Sequence, residues 1–226
     1  MNFLKSLFGT QKKDAEIPNE SPAVKFPQEE YDRDYELKER GLEYVLGEMH
    51  GIVGHAIIPF EIGGAVDMYY FPNHIAGTGF ATMELLDPTG NGPKPNSVGT
   101  YELVAFTRLV YKTNDAQETP FDLIERRVCG IFTTIGNYSF QAVLKPGDTC
   151  EVPRDDEENR YVIFDLYQPA NKEFKIGERK HHLLLCMEIF RSEMEFAGKH
   201  GSAKLFELLK QKNFYPYSDL DRESVA

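Results

Sequence analysis

The sequence predicts an α/β (α+β) fold in which a β-sheet is flanked by helices. Two stretches, residues 99–108 and 182–190, are rich in apolar, β-branched or aromatic residues and free of proline, as buried strands are. Apolar residues at helical spacing recur over residues 29–49 and after Thr119. Both faces of residues 99–108 are largely apolar, which indicates an interior strand covered on both sides.

Composition narrows the classes of protein. The 226 residues are 41% apolar, enough for a substantial core, and no apolar run reaches the ~20 residues that a membrane span needs. Cys129, Cys150 and Cys186 are far apart and odd in number, which favours reduced thiols in a cytoplasmic protein over a disulfide framework or a zinc site. The net charge of −11 opposes nucleic-acid binding and favours a basic partner.

The domain organisation is predicted to be simple. Residues 1–28 are polar and carry three spaced prolines, which is typical of a flexible lead-in, and residues 29–226 form the folded domain. A first helix is predicted over residues 29–49, with its charged face exposed to solvent. Its apolar face consists of Tyr35, Leu42, Val45, Leu46 and Met49.

Strands are predicted over residues 65–71, 77–86 and 99–108, and prolines and glycines at 87–96 form turns. Asp67 lies within the first of these strands, where an unpaired buried acid would cost free energy. Thr119 followed by proline and Asp122 predicts the start of a long helix.

The C-terminal half is predicted to add strands at residues 150–152, 161–167 and 182–190. Ser192 and Glu195 form a Ser-x-x-Glu pattern that predicts a helix start, with interruptions at Gly198 and Gly201 and a second helix over residues 202–212. The aromatic tail over residues 214–222 is expected to dock on the body.

No nucleophile elbow, metalloprotease helix or phosphate-binding loop occurs in the sequence. His50 and His55 flank glycines but have no supporting ligand at a suitable spacing, so no metal or cofactor is predicted. One alternative stays open: an enzyme, such as a hydrolase, or a small-ligand-binding protein that uses Asp67, Glu102, His182 and Glu188 in a deep pocket.

The blocks from Gly79 onward resemble the Suppressor of fused (SUFU) domain family. The ordered series is Glu84-Leu-Leu-Asp87, a Pro/Gly loop, Tyr101-Glu-Leu-Val-Ala-Phe-Thr-Arg108, a helix over 121–138, Pro146-Gly-Asp-Thr149, a strand and helix over 183–195, and Tyr217-Ser-Asp-Leu-Asp221. The tail and the Cys-Met-Glu-Ile-Phe-Arg-Ser-Glu-Met run beginning at Cys186 look especially like the bacterial branch.

The resemblance implies a non-catalytic domain with a mixed sheet flanked by helices, which holds a protein or peptide partner by strand addition in a groove. The positions that match the family's acids are Glu84 and Asp87. Glu102 is expected to border this acidic groove, and Tyr101 and Asp67 complete the expected partner-binding set. Bacterial members are proposed immunity proteins, so a basic toxin is the expected partner. Whether the chain forms homo-oligomers stays open.

Overall fold

The computed structural model describes residues 28–111, 118–154 and 158–226. The predicted lead-in lies outside the described residues except for Gln28, which begins the first helix. The helices are α1 Gln28–Leu46, α2 Pro120–Ser139, α3 Arg191–His200 and α4 Ser202–Gln211. The strands are β1 Val53–Gly54, β2 Met68–Phe71, β3 Thr78–Ala81, β4 Tyr101–Thr107, β5 Thr149–Val152, β6 Arg160–Leu166, β7 Lys175–Ile176, β8 Arg179–Lys180 and β9 His182–Ile189.

The main sheet is mixed, with the strand order β1-β2-β3-β4-β9-β6-β5, while β7 and β8 form a separate hairpin. Strands β4 and β9 run parallel, with Tyr101 opposite His182 and Val104 opposite Leu185. The other neighbours are antiparallel. All seven residues of β4 are buried, as an interior strand requires. The predicted fold class, a mixed sheet flanked by helices, is confirmed.

A hydrophobic core lies on each face of the sheet. On one face, Leu103 and Ala105 of β4 pack with the apolar side of α2, including Phe132. On the other face, Val104 and Phe106 pack with α1, α4 and the C-terminal tail. Burying each large apolar side chain contributes about 1.5–3 kcal/mol. The strand pattern predicted these two faces correctly because side chains alternate across a strand.

Several predicted boundaries shift. Helix α1 ends at Leu46 rather than residue 49, because Gly47 adopts a φ of 83°. Strand β3 ends at Ala81 rather than residue 86. The predicted helix start at Ser192 is wrong, since Phe190 is the N-cap and its amide donates to Glu193 Oε2 at 3.0 Å. Gly201 separates α3 from α4, whereas Gly198 lies inside α3.

The C-terminal tail docks on the body, as expected. Tyr217 forms a parallel bridge with Phe106, and Ser218 and Asp219 are buried. Arg222 forms a buried, two-pronged ion pair with Glu193, with Nη1–Oε1 at 2.6 Å and Nη2–Oε2 at 2.8 Å. Among the helices of the described ranges, none has the length and apolar character to cross a membrane.

The Arg222 ion pair yields a stability prediction. The substitution Arg222→Met leaves the fully buried Glu193 carboxylate without its cation, so we expect a loss of about 3–5 kcal/mol of unfolding free energy in urea denaturation. The control Arg191→Met removes the exposed pair with Glu195 and should leave the unfolding free energy nearly unchanged, because solvent screens exposed pairs. Equal losses for the two variants would contradict a structural role for the buried pair.

Candidate functional site

An acidic cleft of about 230 Å³ lies between the first half of α1 and the segment 82–88 that follows β3. The rings of Tyr31 and Tyr35 line it together with five carboxylates. These are Asp32, Asp34, Glu61, Glu84 and Asp87. Because a concentration of like charge on facing walls focuses the electrostatic field, this cleft attracts cations.

Lys38 lies at the floor of the cleft, with a side chain that is only 5% exposed. Its ammonium donates to the carbonyl oxygens of Met83, at 2.8 Å, and Leu86. It also forms an ion pair with Asp34 at 3.0 Å, and Asp34 forms a second ion pair with Arg179 at 2.7 Å. The expectation that the charged face of α1 is simply solvated is therefore wrong at Asp34 and Lys38, which are buried between α1 and the segment 82–88.

Glu102 lies beneath the same segment and is fully buried. One carboxylate oxygen accepts hydrogen bonds from Thr82 Oγ1 at 2.6 Å and from the amide of Leu85 at 3.2 Å, and the other accepts from the amide of Leu86 at 3.3 Å. Burial raises the pKa of Glu102, although Lys38 and these hydrogen bonds oppose the rise. Glu102 anchors the wall of the cleft from below.

Tyr101 is also fully buried and packs in the core on the α2 side of the sheet. Neither side chain reaches the surface, so the structure does not support the expected direct contacts of a partner with Tyr101 and Glu102. The alternation of the strand places them on opposite faces of β4, and both faces are covered. Glu102 supports the wall of the cleft from below, whereas Tyr101 belongs to the core on the other face of the sheet.

Glu84 lies in the wall of the cleft and accepts a hydrogen bond from the backbone amide of Asp67. Burial is the largest influence on Glu84, and it raises the pKa to about 8 together with the negative charges of Asp67 and Glu102. The hydrogen bond and Lys38 only partly oppose the rise. Glu84 thus changes charge near neutral pH.

Asp67 lies behind Glu84, just before β2 rather than inside a strand. Its carboxylate accepts from the amide of Ala56 at 2.8 Å and contacts His55 Nδ1 at 2.7 Å. With these partners, the side chain remains 24% exposed. Asp67 therefore ties the segment around His55 to the wall that contains Glu84.

Asp87 organises the turn at the mouth of the cleft. It accepts hydrogen bonds from Thr89 Oγ1 at 2.6 Å and from the amide of Asn91 at 2.8 Å. Burial acts against ionisation, but these hydrogen bonds outweigh it and lower the pKa of Asp87. Asp87 therefore carries a full negative charge at neutral pH.

The alternative pocket of Asp67, Glu102, His182 and Glu188 is not assembled. His182 and Glu188 lie near opposite ends of β9, six residues or roughly 20 Å apart along the strand. Glu188 pairs with Arg127 at 2.8 Å, and its amide donates to Ser218. Within the described residues, no group of three or more His, Cys, Asp or Glu side chains is placed to hold a metal ion.

The residue near Glu102 is His181, whose Nε2 lies 4.0 Å from the carboxylate. Burial, with the positive charges of Lys38 and Arg179, lowers the pKa of His181 to about 3, so the ring is neutral. Sequence reasoning missed His181 together with the cleft residues contributed by α1 and by Glu61. On α1, the spacing of Asp34 and Lys38 looks like an ordinary surface pair.

Comparison with known proteins is informative about the fold. No family model matches the chain, and no curated protein matches it in sequence. A chain from the structure described as "the Sufu-Fu complex crystal structure" is similar in fold, with a TM-score of 0.56 and 15% sequence identity. The match covers 84% of this chain and 91% of that chain. The protein therefore has a SUFU-like fold.

Proposed function

We propose that this chain is a non-catalytic binding domain whose acidic cleft holds a basic segment of a partner protein. The observation that carries the proposal is the charge of the cleft. Of the five carboxylates that line it, Asp34 is already paired with Lys38 and Arg179, and Glu84 has a pKa of about 8. Asp32, Glu61 and Asp87 therefore supply most of the negative charge at neutral pH, while Lys38, the one cationic side chain among the described lining residues, is buried and bonded to protein oxygens. A lysine or arginine from a partner would supply the missing positive charge.

Three further observations support a protein partner. Tyr31 and Tyr35 place aromatic rings beside the carboxylates, and such rings attract lysine and arginine through cation–π contacts. The structure with a similar fold is described as a complex of two proteins. The net charge of −11 would also accelerate encounter with a basic protein.

We propose further that the partner is a basic toxin and that this chain is its cytoplasmic immunity protein. The resemblance of the tail and of the run from Cys186 to the bacterial SUFU branch supports this assignment. The three cysteines are all unpaired, which suits a reducing compartment. The acidic cleft would neutralise such a toxin by masking its basic surface.

The first test reverses charge at the rim of the cleft. Asp32 and Glu61 are exposed, so Asp32→Lys with Glu61→Lys changes the cleft without burying a cation. We expect affinity for the partner to fall at least about tenfold, or ~1.4 kcal/mol, because attraction becomes repulsion. Partners are captured from the native host on the immobilised protein, identified by mass spectrometry and then titrated.

The matched control is Glu178→Lys with Glu207→Lys, two exposed acids outside the cleft with the same change in net charge. This control should retain the partner. The proposal fails if no protein is retained at low or moderate salt, or if the cleft variant and the control bind equally well. Glu84 and Asp87 are poor sites for lysine, because both accept hydrogen bonds that hold the backbone.

The second test uses the titration of Glu84. A cation in the cleft favours ionised Glu84, so we expect affinity for an arginine-rich peptide to rise as pH rises through about 8. Glu84→Gln should remove most of this rise. Fluorescence anisotropy of the labelled peptide measures both proteins across the pH range, and an unchanged pH profile in the variant would exclude Glu84 from the binding site.

Folding stability should respond with the opposite sign. The pKa of Glu84 is raised in the folded state above its ordinary value of 4.5, so its stabilising effect is complete below that value and is lost as pH rises through about 8. Urea denaturation of wild type and Glu84→Gln separates this loss from the gain in peptide affinity.

A further inference from the structure

A second groove, with a larger volume of about 740 Å³, lies at the other end of the strands from the acidic cleft. Its walls come from the first half of α2, the start of β6, the end of β9 and the start of α3. Five of the ten arginines in the chain line it, against two glutamates, Glu158 and Glu188. We call it the arginine groove. The arginines are Arg126, Arg127, Arg154, Arg160 and Arg191.

Arg127 lies at the floor of the groove, where Glu188 fixes its position. Its guanidinium pairs with the buried carboxylate of Glu188 at 2.8 Å, yet the side chain is 32% exposed. Its carbonyl oxygen accepts a hydrogen bond from Arg160 Nη1 at 2.9 Å. Arg127 and Glu188 neutralise each other, so the floor of the groove is close to neutral and its positive charge comes from the rim.

Arg126 and Arg191 lie at the rim of the groove and form exposed ion pairs. Arg126 pairs with Glu118, and Arg191 pairs with Glu195 at 2.9 Å along α3. The two arginine side chains are 62% and 67% exposed. Exposed pairs of this kind contribute little stability, so a ligand carboxylate can replace the glutamate at small cost.

Apolar side chains lie between the arginines, and they indicate the class of ligand. Leu123, Phe190 and Leu220 line the same groove. Guanidinium groups bind carboxylates through two parallel hydrogen bonds, and the apolar side chains between them suit the apolar side chains of a peptide. The combination fits a peptide that alternates acidic and apolar side chains.

We propose that the arginine groove binds an acidic peptide segment of a second protein partner, with carboxylates on Arg126 and Arg191 and apolar side chains on Leu123, Phe190 and Leu220. This site is separate from the acidic cleft and has the opposite charge. The domain would therefore hold two partners of opposite charge at opposite ends of its sheet.

The probe is a short fluorescein-labelled peptide in which pairs of glutamates alternate with leucine or phenylalanine. Anisotropy titrations at low ionic strength should show saturable binding to the full chain. The double substitution Arg126→Gln with Arg191→Gln should weaken binding at least about tenfold, because each lost guanidinium removes a charge-assisted contact. The control is Arg33→Gln with Arg40→Gln, where Arg40 has the same type of exposed helical pair with Glu36; it should bind as wild type does.

The proposal is overturned by no saturable binding of the glutamate peptide, by equal binding of a peptide with glutamine in place of glutamate, or by equal weakening by the control. Tighter binding of a phosphoserine version or of single-stranded RNA would assign the groove to phosphate and would also overturn it. The Asp32→Lys with Glu61→Lys variant should still bind the acidic peptide, so this site and the acidic cleft fail or succeed independently.

Discussion

The acidic cleft depends on the hydrogen bonds that two buried side chains of opposite charge form with the backbone of the segment 82–86. Lys38 donates to the carbonyls of Met83 and Leu86, while Glu102 accepts the amides of Leu85 and Leu86. A buried backbone needs a partner for each polar group, and here side chains supply what a neighbouring strand otherwise would. The segment can therefore leave the sheet after Ala81 and form the wall of a cleft.

The same arrangement sets the charge of the site. Lys38 pairs with Asp34 and lies near the carboxylate of Glu102, so these buried acids balance its positive charge and it does not neutralise the acids at the rim. Burial raises the pKa of Glu84 most. The negative charges of Asp67 and Glu102 raise it further, and their effect exceeds the opposing effect of Lys38. Asp87, at the mouth and held by hydrogen bonds, stays ionised. The cleft thus combines a permanent charge with one that depends on pH.

The sequence predicted the parts of the fold in which one local rule decides the outcome. Strands β4 and β9 are long apolar runs, and Thr119 with Asp122 caps α2 as its pattern indicates. The cleft was only half predictable: Glu84 and Asp87 came from the family resemblance. Lys38 was missed because its spacing from Asp34 is that of a solvated helix pair, and only the docking of α1 against the segment 82–86 buries it. Glu102 was noticed as a charge in an apolar strand, but its partners lie 16 to 20 residues away in the chain, so local patterns could not assign them.

The two charged sites can act separately because the sheet holds them apart. The eight residues of β9 span about 26 Å, from the end near Glu102 to the end at the arginine groove. Exposed charges at that distance are screened at physiological salt, where the Debye length is about 8 Å. The docked tail contributes to the second site alone: Leu220 lines the arginine groove, and Arg222 fixes the tail to Glu193. Opening of the tail would therefore remove Leu220 from the arginine groove, whereas no residue of the described tail lines the acidic cleft, so the buried Arg222–Glu193 pair supports the arginine groove and not the cleft.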